Sequence, residues 1–323
     1  MDLSGDRLQT LPLSLVVADL HEAASGVVSL ILRDVRGVVL PEWAPGAHIE
    51  ILLPNGIVRQ YSLCGDTGDA EQWRISVLNV PEGRGGSKFI HEKLAKGDIL
   101  QASEPRNNFL LEPAEDYLFI AGGIGITPLL PMIRRVADEG RRWTLLYGGR
   151  ERRSMAYLDE IELIAGGDVF IRPQDQYGIL DLKAVLHEHT PRRLVYCCGP
   201  GALIDAVEEQ CAHWPKGTLH RERFTPRTRE TILEDGEFEV ELARSGRRIR
   251  IASDQSLLSA LEDAGCKITN SCRAGICGTC LVDVLGGVPD HLDDVLTDEQ
   301  RESGKVMLPC VSRSKTPILI LDL

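Results

Sequence analysis

The chain has 323 residues, 43% of them hydrophobic and 26% charged, and a formal net charge of −12. That length exceeds one ordinary core and predicts two or three domains, while the acidic balance argues against nucleic acid or an anionic membrane as the main partner. No apolar run approaches the roughly 18–20 residues of a membrane span, and the polar, mixed-charge Met1–Thr10 does not read as a signal peptide.

Residues 11–110 read as short β-segments: Leu13–Ala18, Val27–Leu32, His48–Leu53, Trp73–Val80 and Asp98–Ala102. Turn clusters such as Pro45-Gly46, Pro54-Asn55-Gly56 and Gly65-Asp66 separate them, a spacing that predicts an antiparallel barrel, with one helix over Phe89–Ala95. After Pro113 the pattern changes. Strands are expected at Tyr117–Ala121, Trp143–Tyr147, Asp168–Ile171 and Arg193–Cys198, and helices at Pro128–Ala137, Met155–Ile164, Leu182–His187 and Ala202–Cys211. Strands alternating with helices imply a parallel sheet. The polar, proline-bearing Phe224–Gly236 reads as a linker. Beyond it, Phe238–Ala243 and Arg247–Ala252 flank a Ser245-Gly246 hairpin turn, Leu257–Ala264 reads as a helix, and Leu281–Leu285 and Pro317–Leu323 as strands.

Three motifs carry chemistry. Ala121-Gly122-Gly123-Ile124-Gly125-Ile126-Thr127-Pro128 follows a strand and opens a helix. Glycines there admit a phosphate to the backbone, with Thr127 as N-cap and Pro128 as the first helical residue. Pro128 stands where a Rossmann fingerprint has its third glycine, and a tight strand–helix corner needs the same residues. Tyr196-Cys197-Cys198-Gly199-Pro200 also ends a strand before a helix. Ligands bind at such carboxyl ends, so the small Cys198 could sit beside a nicotinamide ring. The third motif is Cys272-Arg273-Ala274-Gly275-Ile276-Cys277-Gly278-Thr279-Cys280, completed by Cys310. C-x4-C-x2-C with a distant fourth cysteine is the spacing of a plant-type [2Fe–2S] cluster, whose irons take sulfur ligands. A zinc ribbon would pair two C-x2-C knuckles, and Cys310 has no second knuckle. The total of nine cysteines is odd, which argues against a secreted disulfide framework and fits a reducing cytoplasm. Cys64, Cys197, Cys211 and Cys266 read as structural.

With these motifs in place, the chain resembles the phthalate dioxygenase reductase family of the ferredoxin–NADP reductase superfamily almost end to end. Two barrel motifs strengthen the resemblance: Arg59-Gln60-Tyr61-Ser62-Leu63, similar to an R-x-Y-S flavin signature, and Arg84-Gly85-Gly86-Ser87, similar to a phosphate turn. The resemblance implies a multidomain fold. An antiparallel β-barrel flavin domain would span 1–112, an α/β parallel-sheet nucleotide-binding domain 113–225, a linker 226–236, and an α+β β-grasp ferredoxin domain 237–323. It further implies FMN, with FAD the minority option, held by Arg59, Gln60, Tyr61, Ser62, Ser76, Val77, Leu78, Arg84, Gly85, Gly86, Ser87, Thr127 and a stacking Phe224. Relatives often carry a basic residue where Leu78 stands.

NADH would be held by Gly122, Gly123, Gly125, Thr127, Pro128, Arg150, Cys198, Gly199 and Pro200. NADPH is the alternative, because Gly149-Arg150-Glu151-Arg152-Arg153 offers both an acid for ribose hydroxyls and arginines for a 2′-phosphate. The cluster ligands would be Cys272, Cys277, Cys280 and Cys310. By the same resemblance hydride transfer would run between cofactors with Cys198 and Phe224 near the reacting rings, and no side chain is assigned as a general acid or base. The implied function is electron transfer from NADH to a Rieske non-haem iron oxygenase by a cytoplasmic monomer. Service to a soluble ferredoxin or non-Rieske oxygenase, or a redox-sensing Fe–S module, are the alternatives. Asp290, Asp293, Asp294, Asp298, Glu299 and Glu302 are a candidate acidic docking stretch or a solvated loop.

Overall fold

The structure, a computed structural model, describes residues 11–227 and 236–323. Met1–Thr10 and most of the expected linker lie outside the described residues. The chain divides into two units, Met1–Glu222 and Arg223–Leu323. No helix among the described residues is long and apolar enough to cross a membrane.

The first unit begins with six strands: β1 Leu13–Ala24, β2 Val27–Asp34, β3 His48–Leu52, β4 Val58–Ser62, β5 Trp73–Leu78 and β6 Ile99–Ala102. They form one antiparallel sheet in the order β4-β3-β6-β1-β2-β5. Alternate residues point inward, so Leu15, Val17, Leu30, Leu32, Ile49, Ile51, Trp73 and Ile75 make its core. The sheet curls until its ends meet: Leu63 bridges Ile75, and Cys64 N donates to Arg74 O at 2.8 Å. The sequence pattern does not mark β4. Its residues Val-Arg-Gln-Tyr-Ser are half-buried except at Ser62, and pairing with β3 is what makes them a strand. The expected helix begins earlier, at Gly86, and ends at Lys93.

The rest of this unit is a sheet of β7 Asp116–Gly122, β8 Arg142–Gly149, β9 Gly167–Pro173, β10 Arg193–Gly199 and β11 Leu219–Arg223, ordered β11-β10-β7-β8-β9, in which β10, β7, β8 and β9 pair in parallel. All seven residues of β7 are buried, as a central strand covered on both faces requires. Its Phe119 packs with Leu129, Ile133 and Val136 of the Ile126–Asp138 helix. Its Leu118 and Ile120 face the other way, toward Leu182, Leu186, Ile204 and Val207. The helix expected over Met155–Ile164 is shorter, Leu158–Glu162, because Tyr157 takes φ 65° and interrupts any earlier turn. Strand β11 and a short Gln174–Tyr177 helix are additions to the sequence reading.

In the second unit β12 Phe238–Leu242 and β13 Arg247–Ile251 form the expected hairpin. The Leu257–Asp263 helix is capped by Ser256, whose hydroxyl accepts from Ser259 N at 3.1 Å. The remaining strands are β14 Val282–Gly286, β15 Pro289–Asp290, β16 Val306–Met307, β17 Arg313–Ser314 and β18 Ile318–Leu321. The last strand inserts between β12, to which it runs parallel, and β14, to which it runs antiparallel. The acidic run Asp298–Ser303 is a helix with a Thr297/Gln300 capping box.

Gly46 shows how tightly the barrel packs: at φ 91°, an added Cβ would lie 1.9 Å from the Phe109 carbonyl oxygen. Gly46→Ala is expected to cost about 2 kcal/mol or more, read as a lowered denaturant midpoint. Gly56→Ala, with φ 79° but nothing within 4 Å, reports the backbone strain alone and should cost about 1 kcal/mol.

Candidate functional site

The first cluster of expected residues gathers at the start of the Gly86–Lys93 helix. Arg59 on β4 donates to Val58 O at 2.7 Å and to Arg84 O at 3.1 Å. A Cβ on Gly86 would come within 2.9 Å of Arg59 Cγ and Nε, so only glycine lets this arginine lie across the helix start. Gly85 takes φ 83°, and no side chain caps the helix. Burial, with the neighbouring charge of Arg84 adding, holds the Arg59 guanidinium below its ordinary range. Two cations beside uncapped first-turn N–H groups make a cradle that suits a phosphate.

The other expected flavin residues are placed less uniformly. Tyr61 lies on the same side of β4 as Arg59 by strand alternation, and burial raises its hydroxyl. Gln60 points to Glu50 Oε1 at 3.1 Å instead. The Ser87 hydroxyl accepts from Val80 N at 3.1 Å and closes the 80–87 turn. Val77 is buried and its carbonyl meets His91 Nε2 at 2.9 Å, while Leu78 is exposed. The Ser76 hydroxyl is bonded to Tyr157.

The two nucleotide motifs, far apart in sequence, meet because β7 pairs in parallel with β10, Ala121 opposite Cys198. A Cβ on Gly125 would lie 2.2 Å from Cys198 O, and one on Gly122 would lie 2.6 Å from Pro200 Cδ. The strand order reverses between these strands, where open α/β sheets leave a crevice for ligands. Gly123–Gly125 form a single 3-10 turn before the Ile126–Asp138 helix. Thr127 is therefore not the N-cap: it lies inside the first turn, where its hydroxyl donates to Ile124 O at 2.9 Å, and Pro128 follows within the helix. Burial pushes the Cys198 thiol well up, with the charge of Glu222 adding. Arg150 is exposed, while Arg152 pairs with Glu162 at 3.1 Å and Arg153 with Glu151 at 2.5 Å.

In the second unit the cluster motif forms a loop with all four cysteines buried. Gly275 and Gly278 take φ 71° and 73°, the left-handed turns that wrap it. The thiols come in two hydrogen-bonded pairs, Cys272 with Cys277 and Cys280 with Cys310. The Cys277 hydrogen bond, aided by backbone N–H groups of Ala274, Ile276 and Cys277, pulls Cys272 down to about 6. The Cys310 hydrogen bond likewise lowers Cys280. Ala274 N donates to Cys272 Sγ at 3.3 Å and Thr279 Oγ1 to Cys277 Sγ at 3.2 Å. Two thiol pairs with N–H and O–H groups aimed at sulfur fit a binuclear cluster. Among the described residues, no three His, Cys, Asp or Glu side chains converge for a single metal ion.

The acidic stretch beside this loop behaves differently from a docking surface. Asp293 is buried, and its Oδ1 accepts from Val295 N at 3.0 Å, Leu296 N at 2.8 Å and Arg301 at 3.1 Å. Asp294, only 5% exposed in its side chain, takes Arg227 at 2.9 Å, and its N–H donates to Gly275 O at 2.9 Å. Asp294 thereby braces the cysteine loop at Gly275, while Asp293 organises its own 293–301 segment. Asp298, Glu299 and Glu302 stay exposed, and Asp290 pairs with Lys315 at 3.4 Å.

Phe224 follows β11 directly and is 37% exposed. Sequence reading passed over its neighbour Glu222. Burial lifts the Glu222 carboxyl to about 8, against a lowering hydrogen bond with the Ser62 hydroxyl of the flavin motif. In sequence it sits in His-Arg-Glu-Arg, indistinguishable from a solvated charged run. Folded Glu222 keeps its proton to about pH 8, whereas an unfolded glutamate loses it near pH 4.3. Stability conferred at low pH is thus lost as pH rises through this window, at most about 1.4 kcal/mol per unit. Glu222→Gln, neutral throughout, should flatten the dependence of the urea midpoint between pH 5 and 8; an unaltered slope would contradict the raised carboxyl.

Comparison with known proteins agrees with this geometry. Residues 240–315 match the 2Fe-2S iron-sulfur cluster binding domain, and residues 119–168 the oxidoreductase NAD-binding domain. The phenoxybenzoate dioxygenase subunit beta of Ectopseudomonas oleovorans is 41% identical over 94% of this chain and 96% of its own. A solved phthalate dioxygenase reductase, described as modular for electron transfer from pyridine nucleotides to [2Fe-2S], is 37% identical over 96% of this chain and 98% of its own, at TM-score 0.68. An intact type IV self-sufficient cytochrome P450 monooxygenase is 40% identical over 96% of this chain, at TM-score 0.91. This chain spans 41% of that longer one. A curled antiparallel flavin-type sheet, a parallel nucleotide-binding sheet and a C-terminal ferredoxin, matched at this identity over nearly the full length, make the chain an oxidoreductase belonging to the phthalate dioxygenase reductase family.

Proposed function

We propose that the chain is the reductase component of an oxygenase system, taking electrons from NADH through FMN and a [2Fe–2S] cluster to a Rieske non-haem iron oxygenase. When bound, the flavin accepts a hydride and releases single electrons, which the cluster carries onward. The observation that supports this reading best is the coexistence of three built sites in one chain: the Arg59/Arg84 cradle, the fused Gly122–Gly125 and Cys198–Pro200 turns, and the four-cysteine loop.

Arg59, Arg84 and the N–H groups at Gly85–Gly86 hold the flavin phosphate, with Tyr61 and the Ser76–Leu78 strand along the ring. Gly122, Gly123 and Gly125 admit the nicotinamide dinucleotide to the backbone, with Thr127 and Pro128 behind them and Cys198, Gly199 and Pro200 opposite. Glu222 holds a proton beside the Ser62 hydroxyl, where it can meet the proton demand of flavin reduction. Phe224 is left to cover the flavin ring. Cys272, Cys277, Cys280 and Cys310 ligate the irons, and the Ala274 N–H and Thr279 O–H tune them. The ion pairs that occupy Arg152 and Arg153 leave Arg150 alone for a 2′-phosphate, which favours NADH. The expected domain limits, 1–112, 113–225 and 237–323, a reducing cytoplasmic setting and a monomeric state complete the proposal.

A second reading has one observation behind it. The likeness to a P450 monooxygenase chain means that a similar three-site module occurs with a non-Rieske oxygenase, so a haem acceptor is the alternative partner.

The loaded protein should reduce cytochrome c with NADH, and absence of steady turnover would refute the enzyme. Cys277→Ser should abolish cytochrome c reduction and the cluster's visible and EPR signals while flavin-level ferricyanide reduction survives; equal loss of both would contradict the ordered chain. The kcat/KM for NADH should exceed that for NADPH, and the reverse preference would overturn the nucleotide assignment.

A further inference from the structure

Within the first unit a partly buried polar cluster joins the curled sheet to the parallel-sheet layer, and of the cofactor residues named above it includes only Ser76. Tyr157 is at its centre. It is 8% exposed and takes φ 65°, a left-handed conformation that a tyrosine rarely adopts. Its hydroxyl bonds the Ser76 hydroxyl, lies 3.5 Å from Cys64 Sγ and donates to Ser29 Oγ at 3.4 Å. The Arg74 guanidinium stacks 4.5 Å above its ring.

Arg74 also donates to both oxygens of Glu160, at 2.7 and 2.9 Å, and to the Cys64 carbonyl at 2.8 Å. Arg134 pairs with the same carboxylate and donates to Gly65 O at 3.2 Å. Burial opposes the charge on Arg74, but the Glu160 hydrogen bond wins and keeps it ionised. Burial likewise opposes the Glu160 charge, and the two arginines hold its carboxyl below the usual range.

The placement of these groups is what gives the cluster a role. Ser29, Arg74 and Ser76 lie on strands of the curled sheet, and Cys64 and Gly65 follow its β4 strand and the Arg59–Leu63 motif without a gap. Tyr157, Glu160 and Arg134 belong to the other layer, and Arg134 rides on the helix that the Gly122–Gly125 turn opens. Each half of the cluster is therefore one rigid element from a cofactor motif. Apolar packing would hold two layers together equally well, since a partly exposed ion pair adds little net stability. A bidentate pair and a hydroxyl with defined partners fix orientation as well. Transfer between two bound rings is sensitive to displacements of about 1 Å.

We propose that Tyr157 and Glu160 are positioning residues: with Arg74 and Arg134 they clasp the flavin cradle to the nucleotide turn and set the geometry of hydride transfer. The inference rests on the proposed NADH-to-flavin reaction.

The test uses the full chain with Glu160→Gln and Tyr157→Phe. In anaerobic stopped-flow, flavin reduction by NADH should slow by about tenfold or more, while FMN content, NADH affinity and the cluster spectrum stay as in the parent. In the chain without cofactors, hydrogen exchange should rise in the segments that carry the clasp, 59–65, 74–76, 126–138 and 157–160, and stay as in the parent elsewhere. Unchanged reduction rates in both folded variants would overturn the clasp. So would a general rise in exchange with loss of FMN, which marks a merely structural role. If Tyr157→Phe does not fold, Glu160→Gln decides, and Glu160→Asp should recover part of the rate. A parent protein that shows no flavin reduction by NADH would instead refute the proposed function, and the exchange measurement still reports on the clasp.

Discussion

The parallel pairing of β7 with β10 is the constraint on which the nucleotide site depends. It brings the Gly122–Gly125 turn against Cys198–Pro200 so closely that a methyl group at Gly125 would overlap the Cys198 backbone and one at Gly122 the Pro200 ring. Two strands separated by the whole β8–β9 excursion end side by side, and the helices that follow them diverge to opposite faces of the sheet. The crevice at this switch point is a consequence of topology, and the glycines keep its floor bare.

The same logic of backbone exposure recurs at the other two sites. Gly86 lets Arg59 lie across an uncapped helix start, and Gly275 and Gly278 turn the cysteine loop so that N–H groups face sulfur. In each place a glycine substitutes space for a side chain, and the charged or polar groups around it are neighbours in the fold rather than in sequence. Arg59 bonds the carbonyl of Arg84, and the Asp294 N–H bonds the carbonyl of Gly275.

Charge that reads as surface in the sequence proves structural in several positions. Asp294 braces the cysteine loop, Asp293 orders the segment after it, Glu160 is shared by two arginines, and Glu222 is held as a neutral acid. What distinguishes them from the exposed Asp298 and Glu299 is burial and an assigned partner, neither of which composition records.

The sequence by itself determined the order of the three layers, the four thiols and the glycine turns, because these depend on local spacing: period-two and buried-strand patterns, C-x4-C-x2-C, and glycines between a strand and a helix. It left β4 unmarked although β4 carries the Arg59–Ser62 motif, since half-buried alternating polar residues become a strand only beside β3. It also placed Thr127 at the cap, two residues too late, because the 3-10 turn at Gly123–Gly125 already feeds the helix. The meeting of the two nucleotide turns, the Tyr157–Glu160 clasp and the raised Glu222 carboxyl were decided only by tertiary structure. Each arises from residues distant in the chain, brought into contact by sheet pairing and layer packing, where burial sets what a charge or hydroxyl can do.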